Sequence, residues 1–221
     1  MRHFIAGEIA QFARLDFDAG ESAWTSKGSL VAHSSEVQWT LRVPGGLGGA
    51  VRRSFAGQGI SLICMEARHA GEYVLLAANA PGHIVEWDLA DGPVVTTRGS
   101  FLAAWGRQVD ITVTVARRAG AAFFGGAGLF LQRISGSGTV LIHGSGDFYE
   151  RRLAEGEQML VSTGNLAAFA DGVDYNIQDV GGCRKMLFDG EGLFLTQLTG
   201  PGRVLLQTLK WEHGKISAKA D

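Results

Sequence analysis

The amino-acid sequence predicts an all-β protein, and three observations predict it. "VDITVTVA" alternates Val109, Ile111, Val113 and Val115 with Asp110, Thr112 and Thr114, the period of two that sets one face of a strand against a core. "LFLQRI", "TVLIH", "LFLTQL" and "RVLLQTL" are short apolar runs bounded by Gly, Ser and Pro, as in strands buried more fully. No long stretch has a helical period. The best helical segment, "GGLGGAVRRSF" at 45–55, is broken by glycines that cost helix stability, so one or two turns are expected there at most.

Along the chain the elements come in three ordered sets. Each set opens with an apolar stretch and a small acidic turn, "ARLDFDAGES", "VEWDLADGPV" and "ERRLAEGEQM", with Gly20, Gly92 and Gly156 in the turns. A second signal follows: "SKGSLVAHSSEVQWTLRV" from 26, "TRGSFLAAWGRQVDITVTV" from 97 and "STGNLAAFADGVDYNIQDV" from 162. Each set closes on a GxG run, "GQGISLICMEARHAGEYVLLAAN" from 57, "GAGLFLQRISGSGTVLIHG" from 126 and "GEGLFLTQLTGPGRVLLQTL" from 190. Gly28, Gly99 and Gly164 precede Gly57, Gly126 and Gly190 by 29, 27 and 26 residues. Offsets this constant read as an internal repeat. The expected organisation is one domain over 1–209 made of three units, about 1–80, 81–144 and 145–209, followed by a polar tail at 210–221. A period near 65 residues is longer than that of solenoids. Each unit is therefore read as a small β-sandwich-like lobe, the three in pseudo-threefold arrangement with interlobe contacts completing the core.

Turn chemistry fills in the connections. The Asp-Gly and Ala-Gly steps of the acidic turns suit positive-φ hairpin corners. In the GxG runs the glycines are expected to start a strand and the run to form a hairpin. Gly200-Pro201-Gly202-Arg203 suits a type II turn, with Pro second and Gly third. The first copy is three residues longer, "EARHAG" standing where the others have a short glycine turn, which implies a longer hairpin loop.

Composition limits the function classes. Twenty Lys+Arg against 22 Asp+Glu give a net charge of −2, unlike the basic balance of a dedicated nucleic-acid binder. Cys64 and Cys183 are far apart, with no CxxC, and read as small hydrophobes rather than a disulfide or zinc pair. No secretory leader, presequence pattern or run of 18 apolar residues is visible, so a cytoplasmic location is expected.

The combination of "AGES" with "SKGSL", "GGAGLFLQRISGSGTV", "ERRLAEGEQMLVSTGNLAAF" and "GEGLFLTQLTGPGRVLLQ" resembles the altered-inheritance-of-mitochondria 24 family (domain of unknown function 124), over about residues 4–209 and most strongly from 97 onward. The resemblance implies lobes like those of the trp RNA-binding attenuation protein (TRAP-like, of the double-stranded β-helix type). It also implies an association with membrane organisation, as in the mitochondrial relative, and no established activity for bacterial members.

Catalytic and binding motifs are sparse. No glycine loop carries the Lys-Ser/Thr pair of a phosphate-binding Walker motif; "VPGGLGGAVRRS" at 43–54 is the nearest and reads as a connector. The histidines at 3, 33, 69, 83, 143 and 213 form no HxH or HxxxH, so no single strand or helix presents two metal ligands. A cupin-like metal or small-molecule enzyme would need His33 and His143 to converge in space. No GxSxG elbow is present, and Asp147 with His143 is a tight acid–histidine pair explained by a turn in which Gly144 and Gly146 supply positive φ.

One pattern recurs. Arg52-Arg53, Arg117-Arg118 and Arg184-Lys185 precede the GxG run in each unit. Under pseudo-threefold symmetry they would ring an anionic partner, lipid headgroups or RNA phosphates; otherwise they are solvated loop charges keeping strand edges soluble. The expectation is a non-enzymatic β-scaffold without catalytic residues, metal or cofactor. Its partners would be proteins or further copies of itself, with a membrane surface also open to it. Nucleic acid is disfavoured by charge and by the scarcity of aromatic motifs.

Overall fold

The computed structural model describes residues 1–42, 62–115, 130–179 and 194–210. The expected helical turns at 45–55, the glycines of the three GxG motifs, Cys183 and all six residues of the basic pairs (Arg52, Arg53, Arg117, Arg118, Arg184 and Lys185) lie outside them.

The described chain is all-β. Its strands are β1 (Arg2–Ala6), β2 (Phe12–Phe17), β3 (Ser22–Ser26), β4 (Leu30–His33), β5 (Gln38–Arg42), β6 (Leu62–Glu66), β7 (Glu72–Ala77), β8 (Gly82–Asp88), β9 (Val94–Thr97), β10 (Phe101–Val115), β11 (Phe130–Ser145), β12 (Phe148–Leu153), β13 (Gln158–Ser162), β14 (Leu166–Ala170), β15 (Asp174–Asp179), β16 (Phe194–Thr199) and β17 (Gly202–Gln207). Two 3-10 turns, Leu89–Asp91 and Thr163–Asn165, are the helical elements among them. The alternating segment behaves as its period requires: Ile111 and Val113 are buried while Asp110 and Thr112 are exposed.

The same pairing scheme occurs three times along the chain. A central strand takes one neighbour on each side in the antiparallel ladders β2–β7–β4, β8–β11–β10 and β12–β17–β14. A second ladder set runs β3–β6–β5, β9–β11–β10 and β13–β16–β15. Even the irregularity is shared, a register shift falling between Leu30 and Ala32, between Phe101 and Ala103, and between Leu166 and Ala168. In the middle stretch single long strands, β10 and β11, serve both ladders. Gly106 faces Gly138 across them; a Cβ on Gly138 would lie 2.0 Å from the Trp105 carbonyl oxygen, so only glycine fits.

Two more ladders join these stretches. β10 pairs with β3, setting Ala103 opposite Thr25, Ala104 opposite Trp24 and Trp105 opposite Ala23. β14 pairs with β9, setting Ala168 opposite Thr96, Phe169 opposite Val95 and Ala170 opposite Val94. Each joint makes a sheet with two buried faces. Leu102, Trp105 and Leu141 pack into a core with Leu15, Phe17 and Met65, whereas Phe101, Ala104, Val140 and Ile142 turn to a second core with Trp87 and Ile134. A third core gathers Val95, Leu131, Phe169, Leu198 and Val204. Burial on both faces explains why "TVLIH" and "RVLLQTL" are continuous apolar runs rather than alternating ones.

Several connections differ from the sequence expectation. β2 and β3, β8 and β9, and β12 and β13 are consecutive but do not pair, so the turns at Gly20, Gly92 and Gly156 are corners between ladders rather than hairpins. Their glycines do carry positive φ, at 79°, 112° and 71°. β16 and β17 are likewise unpaired, lying in different sheets, so the GxG run is not a hairpin. The expected type II turn does not form: Gly202, its third residue, has φ 152° rather than about 80° and opens β17. β6 and β7 are joined by the longer connection expected, but it too links two sheets. Gly144 lacks positive φ; it lies in β11, where a Cβ would sit 2.6 Å from the Phe148 ring.

Candidate functional site

Three of the strand-to-strand loops were marked by the second sequence signal, and two of them build a site. The turn after β3 carries Lys27, Gly28 and Ser29; the turn after β9 carries Arg98, Gly99 and Ser100. Both are tied by hydroxyls. Ser29 Oγ lies 2.8 Å from Thr25 Oγ1 and donates to the Ser26 carbonyl at 2.8 Å, while Thr97 Oγ1 donates to Ser100 Oγ at 3.0 Å. Each turn is then pinned to the central strand of its ladder, with the Ala77 amide donating to the Ser29 carbonyl and the His143 amide to the Ser100 carbonyl, both at 2.8 Å. Lys27 on the first turn is exposed and Arg98 on the second is half-buried.

These turns line a cavity of about 450 Å³ together with Asn79, His143, Ser145 and Lys210. Three cationic side chains, Lys27, Arg98 and Lys210, border it, and none of its lining residues is acidic. Phe101, Leu102 and Leu209 give it an apolar part. A lining of this kind can attract a small anion electrostatically, the low-dielectric wall strengthening the field.

His143 at the wall is 2% exposed, and its Nε2 has no hydrogen-bond partner among the described residues. Burial lowers its pKa below the ordinary value, and the neighbouring His83 adds to that, against a hydrogen bond with the Ala80 backbone. It is therefore a neutral imidazole near pH 7. The equivalent position after "RVLL" is Gln207, whose side chain accepts from the Ser145 amide at 3.0 Å and donates to the Gly164 carbonyl at 2.9 Å.

The sequence-derived sites fare differently. Asp147 is partnered by His83 rather than by His143, its carboxylate lying 3.2 Å from His83 Nδ1, an acid–histidine pair invisible at short sequence range. His33 sits on β4 and contacts the Ser34 carbonyl through Nδ1, in a different sheet from His143. Among the described residues no group of three His, Cys, Asp or Glu side chains is placed to hold a metal ion. Cys64 is a half-buried free thiol with its pKa pushed up by burial. The cationic cavity was missed; the shared basic residue before glycine in "SKGS" and "TRGS" was the signal for it.

A family model described as "Mitochondrial biogenesis AIM24" matches residues 4–209. The chain belongs to the AIM24 family. An uncharacterized protein of Streptococcus pyogenes serotype M6 is 31% identical over 208 residues, covering 90% of this chain and 82% of the relative. The crystal structure of a Streptococcus pyogenes protein superposes with a TM-score of 0.76 at 26% identity, covering 95% of this chain and 94% of that one. Membership accounts for the strand architecture and carries no reaction with it.

Proposed function

We propose that this family member is a non-enzymatic β-scaffold that works by protein association. The observation that carries the reading is the exposure of Val31 and Leu160 on β4 and β13, two of the strands that end a sheet among the described residues. Edge strands present unpaired amides and carbonyls and are guarded in proteins that do not use them. Resemblance to a family linked with membrane organisation fits a scaffold role near membranes. Among the described residues no helix is long and apolar enough to cross one. Affinity capture of the native protein, run beside a Val31→Lys/Leu160→Lys variant, tests the reading. The wild type is expected to retain a stoichiometric partner set that the variant loses; identical sets from both would overturn it.

A second reading, a small anionic ligand, is favoured by the cationic cavity at Lys27, Arg98 and Lys210. Titration with inorganic pyrophosphate should raise the melting temperature of the wild type and leave a Lys27→Glu/Arg98→Glu variant unmoved. An equal shift in both would remove this cavity as the site.

A further inference from the structure

We infer that the cavity at Lys27, Arg98 and Lys210 takes the phosphate monoester of a small hydroxylated molecule, the three cations holding the phosphate and His143 and Asn79 the hydroxyls. This rests on the small-anion reading of the cavity and names the chemical class of its ligand.

The recurring ladders set this cavity apart from an accidental gap. Ala32 faces Leu75, Ala103 faces Leu141 and Ala168 faces Leu205. Counting from these pairs makes Lys27, Arg98 and Thr163 equivalent, and likewise Ala77, His143 and Gln207. In the third stretch the turn is sealed. Gln207 Nε2 donates to the Gly164 carbonyl at 2.9 Å, and Asn165 Nδ2 donates to the Gln207 carbonyl at 2.8 Å. Neither Thr163, Gly164 nor Asn165 lines the cavity. The first two stretches carry a cation where the third has Thr163, and they lack a glutamine at the sealing position. Open turn and cation therefore go together. The third stretch supplies its cation from beyond the end of β17 instead, through Lys210.

Charge and size choose among anions. A phosphate monoester carries about −1.5 to −2 near pH 7 and offers three acceptor oxygens, a match for three cations on a wall without acidic residues. A carboxylate brings a single charge and two oxygens. At about 450 Å³ the cavity falls within the roughly 300–1,000 Å³ of small-molecule pockets, so a phosphate alone would underfill it. The rest of the wall selects the rest of the ligand. His143 stands where Gln207 seals the third stretch; it is 2% exposed, and its Nε2 has no partner among the described residues. A hydroxyl both donates and accepts, so it satisfies a neutral imidazole in either tautomer. Asn79 stands over the Lys27 turn, its Nδ2 3.6 Å from the place a Cβ on Gly28 would take. A nucleoside base would find no stacking platform, because the Phe101 ring on this wall is 2% exposed.

Calorimetric titration of the full-length chain, in buffer free of phosphate, compares inorganic phosphate, propyl phosphate and glycerol 3-phosphate. Glycerol 3-phosphate is expected to bind at least about tenfold more tightly than either of the others, because it alone joins the monoester to free hydroxyls. Lys27→Glu/Arg98→Glu should bind none of the three. Arg68→Glu/Arg107→Glu, the same charge change at exposed residues off this wall, should bind as the wild type does. His143→Phe should lower the affinity for glycerol 3-phosphate toward that for propyl phosphate, and an unchanged ratio would contradict the role given to His143. If that variant does not fold, the three ligands on the natural chain decide alone. Equal affinities for glycerol 3-phosphate and propyl phosphate would overturn the proposal and leave the small-anion reading standing. A chain that binds neither these nor inorganic pyrophosphate would remove both. A lipid headgroup is the other source of such a monoester: wild type that sediments with vesicles of phosphatidylcholine and phosphatidic acid, yet does not bind glycerol 3-phosphate, would overturn the hydroxylated ligand.

Discussion

His143 shows how one side chain ties the fold to the cavity. It is buried as a neutral group, with a pKa held below the ordinary 6.5. Above that value folded and unfolded chains are both neutral at this position, and stability does not depend on it. As pH falls from about 6.5 toward the lowered native value, the unfolded chain takes up a proton that the native chain refuses, and stability drops by at most about 1.4 kcal/mol per pH unit. His143→Gln copies the Gln207 solution and removes that slope. Denaturant midpoints at pH 7.5 and 5.5 check it: wild type should lose more stability than the variant over this interval, and parallel losses would rule the effect out. Little of this was legible beforehand. Asp147 and His143 are close in sequence, yet the acid's partner is His83, brought alongside because β8 pairs with β11.

At the scale of elements, the strands were legible and their partners were not. Alternation over 109–115 and the apolar runs around Val140 and Val204 report burial, a property of each strand alone. Whether two consecutive strands pair depends on where the chain goes after the turn, and a positive-φ glycine serves a corner as well as a hairpin. Gly20, Gly92 and Gly156 thus identified turns correctly while the ladders ran elsewhere. Equivalent strands nevertheless carry unequal energetic weight. Leu102→Lys puts a charge into a closed core and should unfold the chain or cost upward of about 3 kcal/mol. Val31→Lys, at the matching position on β4, should change the stability of a single chain by less than about 0.5 kcal/mol. Chemical denaturation of both variants at low protein concentration reads this directly; equal penalties would mean that β4 is already covered.

At the scale of the molecule, two internal joints bury both faces of the sheets they make, while β4 and β13, each at one end of its sheet, carry no acidic, Lys or Arg residue. The repeated sequence signals mark the two turns, "SKGS" and "TRGS", that line the Lys27–Arg98 cavity. They could not show which edges stay open, because that depends on three-dimensional closure. The central claim is that β4 and β13 are association surfaces. Light-scattering mass of the purified wild-type chain across a hundredfold concentration range, beside Val31→Lys/Leu160→Lys, tests it most directly. The account predicts a wild-type mass above 23.5 kDa that rises with concentration or settles at a whole-number multiple, and a single-chain mass for the variant. A wild-type chain that remains single throughout, or a variant that assembles equally well, would contradict it.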